Sequence, residues 1–94
     1  MSDWLENEVA VVTGGSSGNG RSIALTLAEY GADVVVVDLQ AEPREGGTPT
    51  HERIRADHGR DATFVECDVS SVSEIREAVD AADEFGGVTV MVNN

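Results

Sequence analysis

Eight residues near the start of the chain, Thr13-Gly14-Gly15-Ser16-Ser17-Gly18-Asn19-Gly20, have the types and spacing to hold a phosphate. Glycines close a tight turn and let backbone N–H groups approach an anion, and a helix starting behind them adds unpaired N–H groups and its positive dipole end. Ser16 and Ser17 add hydroxyl donors. Asp38 ends the apolar run Val34-Val-Val-Val37, where an acid can accept hydrogen bonds from an adenosine ribose. A carboxylate there repels a 2′-phosphate, and neither Ser17 nor Leu39, its expected neighbours, supplies a cation. The chemistry therefore favours NAD over NADP. Asp68-Val69 and Asn93-Asn94 follow two further apolar runs. On residue type alone, Asp68 serves equally as a helix cap or a base contact, and the asparagines serve equally as a turn.

These residues need a scaffold, and the hydrophobic pattern supplies one. Glu8 to Thr13 and Val34 to Val37 are apolar enough to be buried parallel strands. Between them, Ile23, Leu27 and Tyr30 recur at helical spacing with Ala24 and Ala28 beside them, and Gly31 stands where the helix should end. Residues 39–48 read as a loop with Pro43, Gly46 and Gly47. Thr48-Pro49 predicts a helix start, with proline at the first helical position and the helix running toward Gly59. Ala62 to Val65 is a third strand. Ser71-Val-Ser-Glu74 has capping-box spacing ahead of a stripe of Val72, Ile75, Val79 and Ala82, and Val88 to Val92 is a fourth strand. The order β-α-β-α-β-α-β predicts an α/β fold with four parallel strands covered on both faces, the first half of a doubly wound sheet, formed by residues 1–94 as one domain.

Composition narrows the partners. Eighteen acidic residues against six basic ones give a net charge of −12, and every basic residue is an arginine. Such a chain repels nucleic acids and anionic lipid. Acidic, lysine-free proteins are typical of salt-rich cytoplasms, where screening relieves self-repulsion, although an acidic protein of ordinary salt tolerance has the same composition. Residues 1–8 are too polar for a signal peptide, and no run is long enough to span a membrane. A cytoplasmic protein is expected. Cys67 stands alone, so an internal disulfide is excluded.

The glycine loop resembles the Thr-Gly-x-x-x-Gly-x-Gly fingerprint of the short-chain dehydrogenases/reductases. Asp38, Asp68-Val69 and Asn93-Asn94 are similar to that family's later motifs, in the same order across the whole chain. The resemblance implies a partial Rossmann fold that binds NAD(P) through Gly14, Ser16, Ser17, Gly18, Asn19 and Gly20, with Asp38 and Leu39 at the ribose. It implies that Asp68 meets the adenine amino group, that Val69 packs on its ring, and that Asn93 steadies the fourth strand beside the cofactor. One departure is Asn19, where the family usually has isoleucine.

The family's activity is hydride transfer between nicotinamide and an alcohol or ketone, in a protein expected to be a homo-oligomer with a small-molecule substrate. Its catalytic serine, and its tyrosine followed four residues later by lysine, are expected beyond Asn94. The chain is thus read as a truncated binding half, inactive alone. Tyr30 is followed four residues on by Val34, and no lysine is present. His51 and His58 are expected to be solvated surface residues rather than bases, and no metal site is expected. Three alternatives remain. Gly15 to Ser22 has the spacing of a phosphate-binding P-loop, but with Arg21 in place of lysine. A methyltransferase fragment normally has an acid before its glycines, where this chain has Thr13. A non-catalytic nucleotide-binding fragment fits the same scaffold.

The resemblance implies that the fourth strand pairs with a fifth expected beyond Asn94. In this chain alone it is therefore expected to be a bare edge, and that edge and the charge generate one prediction. Screening shortens from about 10 Å at 0.1 M salt to about 3 Å at 1 M, so the chain alone should be folded and monomeric only at high salt. Circular dichroism and light scattering across a salt series test this, and a cooperative, monodisperse monomer at low salt would refute it.

Overall fold

The computed structural model describes residues 4–68 and 72–93. Within them the chain runs β1 (Val9–Thr13), α1 (Gly18–Glu29), β2 (Asp33–Asp38), α2 (Thr50–His58), β3 (Ala62–Glu66), α3 (Val72–Ala82), a 3-10 turn (Asp83–Phe85) and β4 (Val90–Val92). The strands form one parallel sheet in the order β3-β2-β1-β4. The expected α/β architecture, half of a doubly wound sheet, is what the chain adopts.

Alternation along the strands divides the core in two. Ala10, Val12, Val34 and Val36 face one side with Ala24 and Ala28 of α1 and Ile54 of α2. Val9, Val11, Val35 and Val37 face the other with Ala78 and Ala82 of α3. Right-handed crossovers account for this division. The chain steps from β1 to β2 to β3 in one direction, placing α1 and α2 together, and then returns past β1 to β4, placing α3 opposite. Every residue of β1 and the four central valines of β2 are buried, because only these two strands have neighbours on both sides. β4 lies at the sheet edge, held to β1 by three residue pairs and by Thr89, whose hydroxyl accepts from the Val9 N–H at 2.7 Å. Met91 on this edge is 41% exposed.

Several local expectations need correction. The buried stripe of α1 is Ala24 and Ala28 with Gly20 and Arg21, while Ile23 and Leu27 are only half-buried. Small side chains let α1 approach the sheet closely, which displaces the larger ones to its flank. Tyr30 is likewise off the core. It follows the last turn of α1 and stacks on Trp4 with ring centroids 5.5 Å apart. Gly31 ends the helix as expected, with φ of 108° and its N–H bonded to the Ala28 carbonyl. Among the described side chains of α3, Ala78 and Ala82 are buried, whereas Val79 is exposed. The side chains of Val72 and Ile75 and the Ser71 capping box lie outside the described residues.

α2 begins one residue later than expected, with Pro49 as its N-cap and Thr50 as its first residue. Thr50 is fully buried, donates to the Gly15 carbonyl at 2.8 Å and accepts from the Arg21 guanidinium at 2.9 Å. One hydroxyl thus joins α2, α1 and the glycine loop. Thr50→Val keeps the shape but leaves the arginine without this acceptor and the carbonyl without this donor. It should cost about 2–3 kcal/mol in a urea unfolding series; a loss below about 0.5 kcal/mol would show the junction to be incidental.

His51 departs furthest from expectation. Its ring stacks on Phe64 at 5.8 Å, and its Nδ1 is buried with no hydrogen-bond partner. Burial, aided by the positive charge of Arg55 and opposed by Glu52, holds the imidazole below its usual range. The unfolded chain therefore binds a proton, near pH 6.5, that the fold resists. Stability should be full above that value and fall as the pH drops below it toward the lowered folded value. His51→Phe should flatten this decline between pH 7.5 and 5.5 in urea titrations; an unchanged decline would place the acid sensitivity elsewhere.

Candidate functional site

Parallel strands bring their C-terminal ends to one edge, and the chain's polar motifs gather there. Gly14 follows β1, Asp38 closes β2, Asp68 lies just after β3 and Asn93 just after β4. β1 marks the point where successive connections leave in opposite directions, the position where open α/β sheets form a ligand crevice. Thr13 draws the two sides together, its hydroxyl donating to the Val92 carbonyl at 3.2 Å.

The glycine loop lies flat against β2. Both Gly14 and Gly15 donate N–H groups to the Val37 carbonyl, at 2.7 and 3.3 Å. Gly15 has no room for a side chain, since a Cβ would stand 3.0 Å from the Val12 carbonyl oxygen and 3.1 Å from a Val36 methyl. Gly14 has φ of 66°, a conformation that other residues rarely adopt. Ser17 is the N-cap by position, but its hydroxyl does not cap the helix. Gly18 then opens α1, and Gly20 is buried within its first turn. Gly14, Ser17, Gly18 and Asn19 line an open cleft of about 730 Å³, together with Arg44 and Glu45.

Asp38 is half-buried and organises this edge. One carboxylate oxygen accepts from the Ser16 N–H at 3.1 Å and the other from the Leu39 N–H at 2.7 Å. A carboxylate has about four acceptor positions, so capacity for further donors remains. Leu39 is 65% exposed beside it. Asp68 and Asn93 are both exposed, whereas Val69 and Asn94 lie outside the described residues.

The two serines take different roles, which their identical type could not reveal. The Ser16 hydroxyl is buried and without a hydrogen-bond partner, away from the solvent side where a donor was expected. The Ser17 hydroxyl is half-buried and accepts from the Arg44 N–H at 2.7 Å. That bond pins residues 43–49, a strap between β2 and α2, across the front of the loop. Pro43 is buried at one end, and Thr50 holds Gly15 at the other. Glu45 of the strap accepts from the Gly18 N–H at 3.0 Å. Its own backbone N–H, then that of Gly18, hold its carboxyl below the usual carboxylate range, with lesser help from the Ser17 hydroxyl and the charge of Arg21.

Arg44 and Glu45, with Thr50 behind them, are thus site residues that the motifs did not reveal. Only the Pro-Arg-Glu-Gly-Gly composition of the loop marked this segment, and composition does not say which way a loop folds back. Arg21 also removes the P-loop alternative. At the position a P-loop gives to lysine, it is 8% exposed and bonded to Thr50 inside the fold rather than presented to the cleft. Among the described residues no group of histidines, cysteines or acids could hold a metal ion, and no helix is long and apolar enough to cross a membrane.

Comparisons with known proteins agree with this geometry. The family model for short chain dehydrogenase matches residues 8–94. Zerumbone synthase of Zingiber zerumbet is 42% identical over 91 residues, which are 96% of this chain and 32% of that protein. The L-sorbose reductase of Gluconobacter frateurii, solved with NADPH and L-sorbose, superposes with a TM-score of 0.83 at 31% identity, over 100% of this chain and 35% of that one. Carveol dehydrogenase of Mycobacterium avium, solved with NAD, gives a TM-score of 0.80 at 29% identity, over 96% of this chain and 36% of that one. The chain spans about a third of the length of the curated relatives it matches. With the family model covering nearly the whole chain and the glycine loop in place at the sheet edge, the chain belongs to the short-chain dehydrogenase family.

Proposed function

We propose that these residues form the dinucleotide-binding part of an oxidoreductase that prefers NAD over NADP. The observation that carries this is a single juxtaposition. A backbone cradle, the N-terminus of α1 and the fixed carboxylate of Asp38 meet at the C-terminal edge of a parallel sheet. Gly14, Ser17, Gly18 and Asn19 line the cleft for the pyrophosphate, with Gly20 buried behind them in the first turn of α1 and Ser16 fixing Asp38 through its N–H. Asp38 and Leu39 flank the adenosine ribose, Asp68 and Val69 the adenine, and Asn93 stands at the strand end beside the cofactor. The cofactor supplies hydride exchange with an alcohol or ketone substrate. The share of these 94 residues is to bind and orient it. The wider proposal is a homo-oligomeric protein of a salt-rich cytoplasm, supported by its acidity, its lack of lysine and the family resemblance.

The preference for NAD rests on a balance of two charges. Arg44 brings a cation to the cleft that sequence alone did not place there. Its side chain is exposed and Glu45 is next to it, whereas Asp38 is held by two backbone N–H groups. The fixed, half-buried charge outweighs the mobile, solvated one. The solved relatives include complexes with either cofactor, so fold alone does not decide the matter. Calorimetry should find NAD bound about tenfold more tightly than NADP, the effect of one charge repulsion of about 1.4 kcal/mol. Asp38→Ala combined with Leu39→Arg should reverse that ratio, although the lost tie to Ser16 weakens both ligands. Equal or tighter binding of NADP by the unmodified protein would overturn the assignment.

A further inference from the structure

Glu45 occupies the place that the chemistry of the loop reserves for a phosphate. Its carboxylate takes the first N–H of α1, next to the Ser17 hydroxyl and within the field of Arg21. Arg21 is 8% exposed, and its guanidinium donates to the Thr50 hydroxyl, with no ion pair of its own among the described residues. A buried cation is costly without a nearby anion, and an acid above the loop offsets part of that cost. The same groups would attract a diphosphate for the same reason.

The strap is built to give way. Its ends are anchored by buried Pro43 and by Thr50, but residues 44–48 between them are exposed. Gly46 and Gly47 have φ of 85° and 101°, and a Cβ on either would meet nothing within 4 Å. Two solvent-facing hydrogen bonds, Arg44 to Ser17 and Gly18 to Glu45, fasten the strap to the glycine loop. Exposed contacts of this kind contribute little each.

We propose that Glu45 is an intramolecular stand-in for the diphosphate, so that a dinucleotide enters the loop only by displacing it. The proposal rests on the dinucleotide-binding function proposed above and adds a selectivity rule to it. A ligand with a diphosphate competes for the Gly18 N–H and can expel a single carboxylate. A nucleoside without phosphates leaves Glu45 in place and gains nothing from the helix terminus. Glu45 thereby lowers affinity for every phosphate-bearing ligand while making the phosphates the condition of entry.

Calorimetry with ADP and adenosine as probes, at moderate salt, tests this on the protein and on Glu45→Gln and Glu45→Ala. Glu45 is exposed, so neither change disturbs the core. Removing the charge should tighten ADP binding about three- to tenfold, the range expected for losing one partly screened competitor, and leave adenosine unchanged. The Gly18 amide should also exchange with solvent faster in Glu45→Ala. Unchanged or weaker ADP binding in the variants, with the original protein binding ADP, would overturn the proposal while sparing the nucleotide site. So would equal tightening of ADP and adenosine, which would place the effect away from the phosphates. If neither probe binds any of the three proteins, the nucleotide site itself falls, and the proposal with it.

Discussion

The rest of the edge depends on how closely the glycine loop approaches β2. Three successive N–H groups, from Gly14, Gly15 and Ser16, are committed to the Val37 carbonyl and the Asp38 carboxylate. That is possible only because Gly15 has no side chain, with the Val12 backbone and a Val36 methyl already at contact distance. Held flat, the loop must turn into α1 at a fixed point, and Thr50 secures it from the helix side through the Gly15 carbonyl. The direction of the α1 terminus, the position of Asp38 and the path of the strap all follow. A side chain at residue 15 would lift the loop, and these features would lose their register together.

Much of this was legible in the chain because it is imposed by burial. Parallel strands covered on both faces must be apolar throughout, and Val9–Val12 and Val34–Val37 announce themselves for that reason. Gly14 and Gly18 are legible because their positive φ suits few residue types, Gly15 because of its close approach to Val12 and Val36, and Gly20 is buried in the first turn of α1. What was not legible depends on contacts between distant segments. The buried stripe of α1 looked like Ile23, Leu27 and Tyr30, since size usually indicates core, but close packing on the sheet selected Ala24 and Ala28. Thr50 resembled an ordinary residue of a helix start, and only the position of the Gly15 carbonyl gives it its role. Glu45 meets Gly18 across 27 residues of chain, and no local pattern encodes that meeting.

With so few cations against so many acids, the placement of the arginines carries structural weight. Arg55 donates to the Ala62 carbonyl at 2.8 Å, tying α2 to the start of β3. Arg53 pairs with Asp57 one turn along the same helix at 3.0 Å, an exposed contact of small consequence. Arg21 acts from inside. The guanidinium suits these tasks because its donors are fixed in a plane and its hydration shell is weakly held, whereas an ammonium would be costlier to bury. The absence of lysine is therefore compatible with a fold that still needs internal cations.

The stack of Trp4 on Tyr30 has a spectroscopic consequence. Trp4 is the only tryptophan in the chain, and Leu5 next to it donates its N–H to the Tyr30 carbonyl at 2.9 Å. Tyr30 follows the last turn of a 12-residue helix whose first turn opens the glycine cradle, so the indole lies roughly 18 Å along that axis from the cradle. Intrinsic emission from this chain is therefore a gauge of whether the N-terminal segment is docked under the far end of α1. Trp4 is already 78% exposed, so undocking of that segment on warming would register as a change in emission intensity and a loss of near-ultraviolet dichroism from the ring stack, with little change in colour.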